Sequence, residues 1–202
     1  MENFNIRLAT PNDIKRINEL FIQMIQYVNE QNKKSGKEVN EERFKDGYDD
    51  GFLEEYLARP DKFILVADID SKVVGYLSCE EKNDEETPFI YLDDFCVDSN
   101  YRGLGIGTKL ISSADEYASN NNFENLRLHV ENENLGSVRF YNNLGFQPLS
   151  RDEHRTLMQK PVIRKVNINN NIKRWLIMIS HRLFLYLFYR YKTLQHIRPS
   201  HY

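Results

Sequence analysis

The sequence predicts a mixed α/β (α+β) domain in which helices flank a partly antiparallel sheet. Three observations carry this. Apolar residues recur at helical spacing over residues 14–28 and again over residues 108–118. Two short apolar runs, 63–67 and 73–79, flank a polar turn as in a hairpin. A third strand-like run, 90–97, passes through a glycine-rich loop directly into the second helical stretch.

The elements follow in order. Residues 5–9 form a first strand. Thr10, Pro11 and Asp13 then open a helix: the threonine hydroxyl can cap it, proline suits the first turn, and an acid complements the helix dipole. Ile14, Ile17, Leu20, Phe21, Met24, Ile25 and Val28 give that helix one apolar stripe. Residues 31–50 are polar, hold Gly36 and Gly47, and make a loop into a short helix through Phe52, Leu53, Tyr56 and Leu57. Pro60 ends it. The hairpin strands come next, then a polar stretch at 80–88, strand 90–97, the glycine loop and helix 108–118, which Asn120, Asn121 and Asn122 end. Residues 126–130 alternate as a strand. Asn134 starts a last helix that Gly145 closes, and residues 146–148 and 155–160 are the final strands.

The 202 residues, 41% hydrophobic and 28% charged, suffice for one globular domain with a proper core. The net charge of −3 conceals an asymmetry. Residues 161–202 hold eight of the 27 Lys and Arg and none of the 30 acids, so residues 1–160 carry 19 basic against 30 acidic side chains. The chain divides into an acidic body, 1–160, and a basic, aromatic-rich extension, 161–202. An acidic body disfavours nucleic acid as a partner. Cys79 and Cys96 are too few for a disulfide framework and residues 1–7 hold no apolar signal core, so a reducing, cytoplasmic setting is expected. The extension has apolar runs at 175–179 and 183–189 split by Ser180, His181 and Arg182, too short and charged for one membrane span. Its readings, in order, are a helix packing on the body or on a second copy in a homodimer, a membrane-surface contact, and a segment without function.

The glycine loop, Arg102-Gly103-Leu104-Gly105-Ile106-Gly107, is placed to bind a diphosphate: glycines let amides turn inward, and the helix behind presents its positive end. It is not a dinucleotide fingerprint, because Thr108 stands where the third glycine belongs. Nor is it a P-loop, because Gly107-Thr108-Lys109 has the wrong order. Arg102-x-x-Gly105-x-Gly107 resembles motif A of the GNAT (GCN5-related) N-acetyltransferases, whose pattern is Gln/Arg-x-x-Gly-x-Gly/Ala. The preceding run 91–97 looks like that family's fourth strand, and residues 134–146, Asn134 through Tyr141 to Phe146, look like its motif B.

The resemblance implies a mostly antiparallel sheet of six to seven strands flanked by helices, with acetyl-CoA as co-substrate. It implies that Arg102, Gly103, Leu104, Gly105, Ile106, Gly107 and Thr108 hold the pyrophosphate, and that strand backbone at Phe95, Cys96 and Val97 pairs with the pantetheine amides. Asn134 and Ser137 would contact the cofactor, and Tyr141 would face its sulfur. Asn134, Ser137 and Tyr141 share one helix stripe by spacing, while Leu135 and Leu144 point elsewhere, to the core. No residue is assigned to a metal.

Acetyl transfer to an amine needs a deprotonated nucleophile, and an alkylammonium of pKa about 10.4 is only about one part in a thousand neutral at pH 7. A base or a water relay must take the proton, and a phenol such as Tyr141 can protonate the leaving thiolate. Asp93 and Asp94 are the base candidates. Adjacent in a strand, they face opposite sides, and Asp93 is preferred because it shares a face with Tyr91, Phe95 and Val97. His129 and Glu131 are further options. The resemblance places the acceptor at residues 20–60, where Asp46, Asp49, Asp50, Glu54 and Glu55 could attract a cationic small molecule or a peptide amine. The alternative is a non-catalytic acyl-CoA-binding module of the same fold.

Overall fold

The computed structural model describes residues 4–42, 44–84 and 87–163; the readings of the extension as docked helix, homodimer contact or membrane contact lie outside them. Among the described residues no helix is long and apolar enough to cross a membrane.

Strand β1 (Asn5–Leu8) leads through a 3-10 turn (Pro11–Asp13) into α1 (Ile14–Lys34). Arg7 fixes this corner. Its guanidinium donates to both oxygens of Asp13, at 2.8 and 2.9 Å, and to Asp68 on β2 (Lys62–Ile69) at 3.2 Å. Asp13 also accepts from the Thr10 amide at 2.8 Å and hydroxyl at 2.9 Å. Helix α1 outruns its apolar stripe by more than a turn. Residues 29–34 are polar and mostly exposed, so periodicity does not reveal them, and Lys33 and Lys34 suit the negative end of the dipole.

Helix α2 (Phe52–Ala58) precedes β2, and β3 (Lys72–Asn83) and β4 (Pro88–Val97) pair as a second hairpin that takes in much of the polar stretch expected at 80–88. Glu80, Glu81 and Lys82 pair with Tyr91, Ile90 and Phe89. A strand accommodates these polar residues because the ladder is backbone and the side chains find partners: Glu80 with Lys82 at 3.0 Å, and Glu81 with the Tyr117 hydroxyl at 2.6 Å. Helix α3 (Ile106–Asn120), β5 (Asn125–Glu131), α4 (Leu135–Asn143), β6 (Gln147–Arg151) and β7 (Arg155–Pro161) complete the order. The seven-stranded sheet runs β1-β2-β3-β4-β5-β7-β6, with β4–β5 its one parallel pair. On one face Leu65, Leu77, Ile90, Leu92, Leu126 and Leu128 form a core with Leu110, Ile111 and Ala114 of α3. On the other, Ile64, Val66, Tyr76 and Cys96 form a core with Ile17, Leu20 and Phe21 of α1 and Leu53 and Tyr56 of α2.

Two irregularities position the site. Strands β4 and β5 pair only at Phe89, Ile90 and Tyr91; β5 is paired along its whole length with β7 on its far side, and beyond Tyr91 no strand among the described residues pairs with the near edge of β4. The β3–β4 ladder also slips. Leu77 pairs with Phe95 and Cys79 with Leu92, leaving Asp93 and Asp94 opposite Ser78 alone, a β-bulge. The Ser78 hydroxyl fills the break, accepting from the Asp94 amide at 2.8 Å and donating to its carbonyl at 3.2 Å.

Arg7 holds the Asp13 carboxyl down at about 2. A depressed carboxylate stabilises the fold fully at neutral pH and loses that contribution as pH falls through the native value. Asp13→Asn should therefore lower the unfolding free energy by about 2 kcal/mol at pH 7 in urea denaturation, with the gap from the unsubstituted chain closing between about pH 4 and 2.

Candidate active site

The open edge of β4 runs into the start of α3. After Val97 the chain turns at Asp98, whose carboxylate accepts from the Asn100 amide at 3.0 Å. It then passes Gly103 and Gly105, both left-handed at φ +82° and +81°. Nothing lies within 4 Å of where either Cβ would sit, so backbone torsion, and not crowding, calls for glycine. Gly107 differs: a Cβ there would lie 2.8 Å from Phe95 Cζ and 3.3 Å from Phe140 Cζ. Those rings stack at 5.7 Å and seat the first turn of α3 between β4 and α4. The amides of Ile106, Gly107 and Thr108 precede the Lys109 N–H bond to Gly105 O at 3.0 Å, so they have no carbonyl inside the helix and form an anion-attracting end.

Arg102 braces this loop. Its Nε donates to Val97 O at 3.1 Å, and its guanidinium lies 5.0 Å from the Tyr27 ring centre on α1. Leu104 is 48% exposed at the loop tip. Phe95 and Val97 turn toward the α3-side core and Cys96 into the α1-side core; by the alternation of the β3–β4 ladder the backbone groups of Phe95 and Val97 face the gap, while those of Cys96, expected there too, face Tyr76 on β3. Asn134 caps α4, accepting from the Ser137 amide at 3.1 Å. Tyr141, with Val138 and Leu144, packs on the α3-side core. Leu135, expected in the core, is instead 66% exposed, because it lies in the first turn of α4, about 120° around the helix from Tyr141 and off the face that Val138, Tyr141 and Leu144 bury. The Tyr141 ring meets Phe146 edge-on at 5.6 Å. Its hydroxyl has no hydrogen-bond partner among the described residues, and burial pushes the phenol well above its usual range.

The bulge overturns the expected placing of the two acids. Ile90 and Leu92 lie in the α3-side core before it, and Phe95 and Val97 pack there after it, so alternation reverses across Asp93 and Asp94. Both carboxylates fall on the α1 side. Asp93 shares a face with Tyr91 but not with Phe95 or Val97. Asp94 accepts from the Tyr48 hydroxyl at 2.6 Å, and that hydroxyl lies 3.2 Å from the Tyr76 hydroxyl. Burial pushes the Asp94 carboxyl up to about 6; the Tyr48 hydrogen bond opposes this and the Asp93 charge adds to it. Asp93 is raised too, by desolvation first, with Lys62 opposing. On the same face the Tyr91 hydroxyl and His129 Nδ1 are 2.8 Å apart. Desolvation and the charge of Arg155 hold the imidazole below its usual range.

Tyr48 comes from the segment between α1 and α2. The acids expected to define that region, Asp46, Asp49, Asp50, Glu54 and Glu55, are all exposed. Lys37 of the same segment pairs with Glu133 at 2.6 Å, beside the α4 cap, and Glu131 lies close enough to raise the Lys37 pKa further. The structure thus brings the β4 edge, the glycine loop and, through Phe140, helix α4 together, with Tyr141 on one face of β4 and Asp93 and Asp94 on the other. Sequence reasoning missed Tyr48, Tyr76 and Ser78; the one local sign was Gly47 before a tyrosine in a polar stretch. Among the described residues no group of His, Cys, Asp and Glu suits a metal ion.

A sequence profile of the acetyltransferase (GNAT) family matches residues 25–146. An uncharacterised N-acetyltransferase of Methanocaldococcus jannaschii is 34% identical over 94 residues, 45% of this chain and 42% of that protein. Thialysine N-epsilon-acetyltransferase of Mus musculus is 42% identical over 64 residues, 32% of this chain and 38% of that protein. The matched stretch thus spans less than half the length of either relative. Among solved structures, the PaiA N-acetyltransferase of Thermoplasma acidophilum in complex with coenzyme A has a similar fold, with a TM-score of 0.67 at 20% identity over 79% of this chain and 99% of that one.

Proposed function

The chain belongs to the acetyltransferase (GNAT) family, and from that premise we propose that it transfers the acetyl group of acetyl-CoA to a primary amine by direct attack in a ternary complex. One observation carries the reading: an unpaired inner strand edge that leads into two left-handed glycines and the open amide end of a long helix. An amide-bearing pantetheine chain suits such an edge as an added strand, and a diphosphate suits the helix end. Phe95 and Val97 then supply backbone partners, residues 102–108 cradle the phosphates, and Asn134 and Ser137 border the α4 side.

The thioester would lie at the bulge, between the two faces of β4. Asp94 takes the ammonium proton, directly or through water, with the more exposed Asp93 beside it. The freed amine nitrogen bonds to the carbonyl carbon, the C–S bond breaks, and Tyr141 gives its proton to the departing sulfur. Base and acid on opposite faces suit this, because nucleophile and leaving group use different sides of the reacting carbon. A Tyr141 phenol raised by burial keeps its proton until a thiolate, itself destabilised by desolvation, demands it. The acceptor is a small cationic amine or a peptide amine reaching the α1 side. Cys79 and Cys96, both buried and unpaired, support a reducing, cytoplasmic setting.

Calorimetric titration with CoA, followed by a panel of polyamines, aminoglycosides and peptides with acetyl-CoA, tests the reading; a chain that takes up no CoA overturns it. Tyr141→Phe should lower kcat about 100-fold with acetyl-CoA affinity nearly unchanged, and equal loss of both would remove Tyr141 from the acid role. A base must be ionised to work, so kcat/KM should fall tenfold per pH unit below about 6. Asp94→Asn should abolish that limb and reduce kcat/KM at least about 100-fold.

A further inference from the structure

Tyr48 is held in place with more care than a surface loop needs. Asn18 on α1 grips the segment from both sides, accepting from the Tyr48 amide at 2.8 Å and donating to the Asp46 carbonyl at 3.2 Å. Gly47 between them is left-handed at φ +96°, and a Cβ there would fall 2.0 Å from Asn18 Oδ1. The grip therefore requires glycine. The Tyr48 ring is stacked between Phe21, at 3.8 Å, and Phe52, at 5.0 Å. All of this delivers one hydroxyl to the Asp94 carboxylate at 2.6 Å.

The direction of the chain follows from its protons. Tyr48 has one hydroxyl proton and spends it on Asp94, so across the 3.2 Å contact Tyr76 must donate to Tyr48. Tyr76 is fully buried. Were Asp94 protonated and donating, the chain would reverse and the Tyr76 proton would lose its acceptor, which a buried donor tolerates poorly. A proton on Oδ1 would leave the chain intact, but the bond donated to Oδ2 is stronger to a carboxylate than to a neutral acid, so the sequence Tyr76 to Tyr48 to Asp94 favours the ionised carboxylate. The other titratable neighbours of Asp94 are Asp93 and Tyr91 on its own strand, while Ile17, Leu20 and Phe21 of α1 in this core carry no charge.

We propose that Tyr48 is a positioning residue that, backed by Tyr76, keeps the Asp94 carboxyl ionised and oriented toward the acceptor amine, so that the α1–α2 segment governs the base. The role rests on Asp94 being the base. Tyr48→Phe keeps the ring stack and deletes the hydrogen bond. In the full chain, carbon-13 NMR of labelled aspartate should show the Asp94 carboxyl titrating about one to two pH units higher than in the unsubstituted protein. The acid limb of kcat/KM should move with it, a loss of roughly tenfold at pH 6, while the KM for acetyl-CoA stays put. Tyr76→Phe, which removes only the far donor, should shift both in the same direction by less, and serves if Tyr48→Phe fails to fold. An unmoved carboxyl overturns the proposal at its first link. A carboxyl that moves while the rate limb stays fixed shows instead that Asp94 is not the base, and the positioning role falls with it.

Discussion

Beyond Tyr91 the parallel pairing of β4 with β5 stops, and the rest of the site follows from that parting. A strand edge with unpaired amides and carbonyls is ordinarily a liability that invites association with another chain. Here it lies inside a sheet, between strands that remain joined at their other end. Each side of the split is held by other packing: β5 lies along β7 on its far edge through Glu131, and the first turn of α3 sits against Phe95 and Phe140, rings close enough to forbid a Cβ at Gly107. That packing holds the gap, so little binding energy need go into opening it.

The bulge at Asp93 and Asp94 is the second break in regular pairing, and it sorts side chains by face. Before it, even-numbered residues of β4 enter the α3-side core; after it, odd-numbered ones do. One extra residue thus places two acids side by side on the face that α1 and its following segment cover, while Tyr141 stays with the opposite core. Ser78 makes this tolerable, since its hydroxyl replaces the ladder bonds that the bulged backbone cannot make.

Much of the architecture was legible because local signals specify it. The α1 stripe, the hairpin, the capped α4 and the strand–glycine–helix unit all arise from residues within a few positions of one another. The glycine loop and motif B pointed to the donor side without any tertiary information. What stayed hidden is non-local. The bulge depends on how β4 registers against Ser78, sixteen positions upstream, and a one-residue slip reverses every later side chain. Tyr48 and Asp94 are separated by 46 positions, and nothing in a polar segment announces which tyrosine will be carried to the sheet. Leu135 was misplaced because residue type suggested burial where helix phase dictated exposure.

The raised carboxyl of Asp94 also bears on how firmly the chain stays folded. In an unfolded chain this group would release its proton near 3.8, whereas in the fold it holds it to about 6. Between those values the native state binds the extra proton, so stability declines as pH rises through that window. At neutral pH the ionised, half-buried carboxylate subtracts on the order of 2–3 kcal/mol relative to acid conditions. A domain of this size has only about 5–15 kcal/mol in total. The fold is thus taxed most at the pH where the carboxylate is ready to accept a proton, and the tightly anchored corner at Arg7 and Asp13 lies in the same chain that must carry that deficit.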